Sequence, residues 1–174
     1  ATKVRKVITR TIQFVESSPS TQLQPILHTR NYPKPGDALP QNTPVLFNLE
    51  TGSVSSVPAS LIENQYSLTR PVWTKDSRAF TFEYNQRGHQ KYQVFEVNAA
   101  NGATRAILTE ESKTFIDYSG KRYRYDVNDG KEILWTSERD GWNHLYLFDA
   151  QTGAVKHQVT HGHWVVRRVV HVTT

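Results

Sequence analysis

The sequence contains no cysteine. That excludes disulfide frameworks, thiolate metal sites and a cysteine nucleophile, and it says little about compartment. It also has no methionine, and no charged-then-apolar signal segment opens it. With strand-like alternation at both ends, in "ATKVRKVITRTIQFVE" and "HWVVRRVVHVTT", it reads as an internal piece of a longer protein. No apolar run approaches the roughly 18 residues of a membrane-spanning helix. Helix signals are nearly missing: "ASLIENQYS" has room for about one turn, and prolines interrupt most other candidates. No Gly-x-Ser-x-Gly occurs, so the strained turn that presents a serine nucleophile is not encoded.

What remains is a β-rich chain of 174 residues, 37% hydrophobic, long enough to bury a core. The net charge of +5 raises the question of an acidic partner. Apart from "TKVRK", however, the basic residues are scattered among acidic neighbours, and no nucleic-acid-binding motif accompanies them.

Three segments share one layout: "PVLFNLETGSVSSVP", "YQVFEVNAANGATRAIL" and "LYLFDAQTGAVKHQVT". Each is strand, turn, strand, with turn glycines Gly52, Gly102 and Gly153, so the unit recurs about every fifty residues, a period typical of propeller blades. "RAFTFEY" and "KEILWTSE" supply another strand ahead of the second and third turns, each after a polar turn. Gln86-Arg87-Gly88 and Arg139-Asp140-Gly141 occupy the matching hairpin positions, Asp-Gly being suited to positive φ.

The strand after Arg139-Asp140-Gly141 looks apolar on both faces. Trp142, His144, Tyr146 and Phe148 alternate with Asn143, Leu145, Leu147 and Asp149. A blade packed between two neighbours buries both faces of its middle strands; a β-sandwich wets one. The expected fold is therefore all-β, a partial β-propeller of about three to four antiparallel blades. We read residues 1–43 as a long strand followed by a proline-rich ordered loop, 44–108 and 109–160 as blade repeats, and 161–174 as the start of another blade.

"NYPKPGDALPQNTPVLFNLETG" followed by "SERDGWNHLYLFDAQTGAVKHQVTHGHWVV" resembles the N-terminal β-propeller of the dipeptidyl peptidase IV family, in the prolyl oligopeptidase clan of serine peptidases. The resemblance covers about Arg10 to Val172. It rests on Tyr32, Pro33, Lys34 and Gly36, then on Arg139, Asp140, Gly141, Trp142, His144 and Tyr146, read as structural positions of the family motif. "VESSPSTQLQPILHTR" departs from better-known members and points to a bacterial branch. The resemblance implies a non-catalytic propeller portion that shapes and gates peptide access to a separate α/β-hydrolase domain of the same parent chain. It implies a parent releasing amino-terminal dipeptides, a periplasmic or exported location, no cofactor, and peptide substrates as partners.

Unpaired blade edges invite association, so a homodimer is also expected. The alternative is a non-enzymatic propeller or β-sandwich module that binds a protein or glycan partner.

Other constellations carry less. Arg122 and Arg124, in "DYSGKRYRYD", are candidates for contacting a substrate carbonyl or carboxylate. The family holds the substrate's amino terminus with an acidic pair upstream of its Tyr-Pro-Lys run. Glu110-Glu111 lies downstream, and reads as a solvated turn. His157, His161 and His163 could supply zinc ligands, but surround a turn without a nearby carboxylate. Asp117 and His144 assemble into a triad only on paper. Trp73, Trp135, Trp142 and Trp164 read as blade-packing residues rather than a sugar platform.

Overall fold

The computed structural model describes residues 1–173. Two compact units divide the chain: Ala1–Lys3 with Thr43–Thr174, and Val4–Asn42. Strands β1 (Thr2–Arg5), β4 (Gln41–Phe47) and β5 (Val54–Ser56) form a three-stranded sheet in the order β1-β4-β5. A five-stranded sheet contains β6 (Gln65–Leu68), β7 (Val72–Trp73), β8 (Ala79–Gln86), β9 (Lys91–Asn98) and β10 (Thr104–Glu111), in the order β10-β9-β8-β6 with β7 also on β8. β6 and β7 pair with opposite ends of β8. They are two pieces of one broken edge, and Pro71, which lacks a backbone donor, lies in the gap. A four-stranded meander follows: β11 (Arg124–Val127), β12 (Glu132–Ser137), β13 (His144–Asp149) and β14 (Val155–Gln158).

The fifty-residue repeat is a repeat of turn chemistry. Asn48 Oδ1 accepts from the amides of Glu50 and Thr51, Asn98 Oδ1 from those of Ala100 and Asn101, and Asp149 Oδ1 from those of Gln151 and Thr152. Each loop is closed by a glycine amide donating to the carbonyl of that residue: Gly52 to Asn48, Gly102 to Asn98, Gly153 to Asp149. The three glycines have φ of 69°, 72° and 75°, a region that β-carbons disfavour. A β-carbon on Gly102 would lie 2.6 Å from Ser55 Cβ, and one on Gly153 would lie 2.8 Å from the Ile107 carbonyl oxygen. Two of the turns are thus seated on the last strand of the preceding sheet.

Among the described residues, the five-stranded sheet is the one buried on both faces. Phe80, Phe82 and Tyr84 of β8, with Phe95 and Val97 of β9, pack with Val57 and Ile62 on one side. Tyr92, Val94, Ile107 and Leu108 pack on the other side with Ile133, Trp135, Tyr146 and Phe148 of the four-stranded sheet. The architecture is all-β with face-to-face antiparallel sheets, as in a partial propeller. The doubly apolar strand β13 meets the expectation only in part: His144, Tyr146 and Phe148 are buried, whereas Leu145 and Leu147 are half-buried.

In the second unit, β2 (Thr11–Glu16) pairs with β3 (Ile26–Asn31) in register from Thr11↔Asn31 to Glu16↔Ile26. The proline-rich stretch read as a loop therefore contains a strand. His28 stacks on Phe14 with ring centroids 5.0 Å apart, and its Nε2 lies 2.8 Å from Glu16 Oε2. The Lys34 amide donates to Asp37 Oδ2 and the Asp37 amide to the Lys34 carbonyl, with Gly36 at φ 90° between them. The Tyr32-Pro33-Lys34 run thus enters a tight turn.

Two other expectations are corrected. The alternating segment Trp164–Thr173 forms no strand among the described residues, because a β-ladder needs a partner and none lies beside it. Of the tryptophans, only Trp135 is buried, at 2% exposure, while Trp73, Trp142 and Trp164 are 52%, 40% and 50% exposed. Trp135 sits mid-strand over Tyr92, whereas the others occupy a short edge strand or loops.

Candidate functional site

Alternation along β8, β9 and β10 places Glu83, Glu96 and Glu110 on the face that meets the four-stranded sheet. Burying a carboxylate is unfavourable unless it is paired and hydrogen-bonded, and each of these is. Glu83 accepts from Arg122 and, at 2.6 Å, from the Tyr92 hydroxyl; Arg124 Nη1 lies 3.6 Å away. Glu96 pairs with Arg105 at 2.9 Å and Arg78 at 3.2 Å, and Arg105 also donates to the carbonyls of Ala150 and Gln151 across the seam. Glu110 accepts from Arg139 at 2.7 Å and from the Ser137 hydroxyl at 2.9 Å. The Arg139 guanidinium also lies over the rings of Tyr146 and Phe148, at 5.1 and 4.9 Å. Burial, reinforced by the Glu83 charge, pushes the Tyr92 hydroxyl well above its usual range.

Arg122 and Arg124 therefore lie in the seam between two sheets. Arg124 is bidentate on Asp126, at 2.8 and 2.9 Å, and reaches Thr81 Oγ1 at 3.1 Å. Both arginines border an open cleft of about 450 Å³ that also touches Val72, Tyr123 and Tyr125. A separate cavity of about 280 Å³ is lined by Tyr92, Trp135 and Ile116, with Glu110, Arg122 and Arg139 at its charged walls. Sequence reasoning passed over Glu83 and Glu96. Their signal was a glutamate inside "AFTFEYN" and "VFEVN", where neighbours on both sides are core residues.

The remaining candidates are not brought together. Both ring nitrogens of the fully buried His144 are engaged, Nδ1 with Thr160 Oγ1 at 3.1 Å and Nε2 with the Gly162 carbonyl at 2.9 Å. Asp117 caps the amides of Ser119 and Gly120, which hold its carboxyl below the usual range. No hydrogen-bonded chain links the two. Glu110 and Glu111 lie on β10 rather than in a turn, pointing to opposite faces, and Glu111 pairs with Lys91 at 3.2 Å. His163 stacks on Trp142, and no group of three or more potential ligands is placed to hold a metal ion among the described residues.

Residues 3–174 match the family described as the dipeptidyl peptidase IV (DPP IV) N-terminal region. The chain belongs to that family.

Two solved structures share the fold. Porphyromonas gingivalis dipeptidyl peptidase 4 superposes with a TM-score of 0.68 at 20% identity, covering 95% of this chain and 23% of its own. A Bacteroides ovatus protein named as a dipeptidyl aminopeptidase IV gives 0.65 at 18% identity, covering 97% of this chain and 26% of its own. The chain thus spans about a quarter of the length of either structure.

Within this DPP IV N-terminal region, the stretch 139–146 supplies one clamp of the charged seam. Arg139 fastens Glu110, and Tyr146 packs beneath the guanidinium. The Asp140 side chain accepts from the Trp142 amide and from Gln158, and Gly141 turns the chain at φ 93°. Asp140 does not share the positive φ. No helix among the described residues is long and apolar enough to cross a membrane.

Proposed function

We propose that the chain is a non-catalytic part of the β-propeller of a serine exopeptidase that releases dipeptides from peptide amino termini. In this reading its blades shape and gate peptide access to a separate α/β-hydrolase domain of the same protein. The observation that carries it is the family match over residues 3–174. Stacked sheets of this kind contribute by geometry: they exclude folded proteins and narrow the entrance, leaving nucleophile, base and oxyanion hole to another domain. Arg122 and Arg124 border the open cleft and are the candidates for meeting a substrate carbonyl.

An exported, periplasmic location belongs to the same proposal, as does a homodimer formed through exposed strand edges. The test is a pair of assays with a Gly-Pro chromogenic substrate, one on this chain and one on the longer protein that contains it. Activity in the longer protein alone is the expected result. Silence in a demonstrably folded longer protein overturns the proposal in favour of a binding module.

A further inference from the structure

We infer that the free edges of β7 and β11 take up an extended, uncharged peptide segment by strand addition, its backbone pairing with Arg124 and Asp126. This deepens the reading of the chain as part of a peptide-handling propeller, and rests on it. β11 ends the order of its sheet, and β7 pairs with β8 alone. Each leaves one edge without a neighbouring strand among the described residues.

Backbone groups on an antiparallel strand point alternately toward and away from the partner. The Thr136 amide donates to the Tyr123 carbonyl at 3.2 Å, and the register then runs Tyr125↔Leu134 and Val127↔Glu132. Tyr123, Tyr125 and Val127 therefore direct their N–H and C=O groups at β12. Arg124 and Asp126 direct theirs outward. On β7 the Thr74 amide donates to the Ala79 carbonyl at 2.9 Å, so by the same parity Trp73 presents its backbone outward.

The side chains beside these edges are apolar and exposed, with Val72 at 65%, Trp73 at 52% and Tyr125 at 36%. Edge strands are usually blunted by projecting charge or proline. Here the arginine of β11 does not project: Arg124 folds back onto Asp126 and Glu83 with its side chain 13% exposed, and the Asp126 carboxylate, 44% exposed, is held in that ion pair. Charge fixes the kind of occupant. The cleft is lined by Glu83 and Asp126 against Arg122 and Arg124, so its formal charges cancel and an anion gains nothing from it. Outward backbone donors and acceptors and flanking apolar surface are the groups left to satisfy. An extended peptide with small or apolar side chains supplies both, in the manner of β-augmentation.

The experiment titrates the full 174-residue chain, labelled with nitrogen-15, with a blocked peptide of alternating valine and threonine. A counterpart N-methylated at every second residue keeps the side chains and loses the pairing edge. We expect the Arg124 and Asp126 amides to shift and to gain protection from exchange, and the N-methylated peptide to bind at least about tenfold more weakly. Unmoved amides at both positions, shifts confined to another surface, or equal binding of the N-methylated peptide each overturn the inference. None of these outcomes depends on catalysis, so failure here is distinguishable from failure of the Gly-Pro assay.

Discussion

Replacing the three repeat-turn glycines one at a time by alanine separates two contributions that usually travel together. All three have nearly the same φ, 69°, 72° and 75°, so each substitution carries the same left-handed backbone cost of about 1–2 kcal/mol. Their surroundings differ. A β-carbon on Gly52 meets nothing within 4 Å, whereas one on Gly153 sits 2.8 Å from the backbone carbonyl oxygen of Ile107. That oxygen belongs to the neighbouring sheet and cannot rotate aside, so Gly153→Ala carries an added overpacking cost of about 1–3 kcal/mol.

Gly102→Ala should behave similarly, since its β-carbon would lie 2.6 Å from Ser55 Cβ. Urea unfolding reads the difference. With a slope of about 1–3 kcal/mol per molar, an extra 2 kcal/mol or so lowers the midpoint of Gly153→Ala by about 1 M below that of Gly52→Ala. Equal midpoints for these two variants refute the claim that the turn is seated on the neighbouring sheet.

Four further outcomes are expected. Glu83→Gln leaves Arg122 and Arg124 short of a buried counter-charge and costs about 2 kcal/mol or more in denaturant unfolding; a loss within about 0.5 kcal/mol, the range of ordinary surface changes, refutes the clamp. Burial and the nearby Asp140 carboxylate push the Tyr146 hydroxyl from 10.0 to about 12. The unfolded chain then releases this proton first, so stability present below about pH 10 falls as pH rises toward 12. Tyr146→Phe should flatten part of that slope, and an unchanged profile counts against it. The Gly162 carbonyl only accepts, so His144 carries its proton on Nε2, which nitrogen-15 shifts will show directly; an Nδ1–H ring contradicts the assignment. Finally, the exposed strand edges predict self-association, checked by whether gel-filtration retention changes with concentration; a monomeric profile at high concentration excludes it.

The features legible in the sequence are those whose causes are local. The repeat turns announce themselves because Asn48, Asn98 and Asp149 cap amides only two and three residues ahead. Double burial was legible as a pattern, but its best expression lies in β8, every residue of which except Gln86 is buried, rather than in β13. The partners of Arg122 and Arg139 were hidden, since Glu83 and Glu110 lie 39 and 29 residues away. Only the stacking of sheets brings them together. For the same reason "ILHTRN" in the proline-rich stretch did not declare itself a strand, because its pairing with β2 spans a loop no short motif encodes.

The two seams of the middle sheet differ in kind, and this restricts how such proteins can be rearranged by duplication or shuffling. Its face toward Val57 and Ile62 is a field of phenylalanine, tyrosine and valine. Its opposite face carries three carboxylates, each with at least one arginine of its own. The sheets are therefore keyed tiles rather than interchangeable ones. A copy of the middle sheet stacked on itself would press Glu83, Glu96 and Glu110 against a buried aromatic cluster with no cation among its members. Neighbour order is thus written into the faces themselves, and a recombinant that transposes two sheets must exchange the arginines along with them.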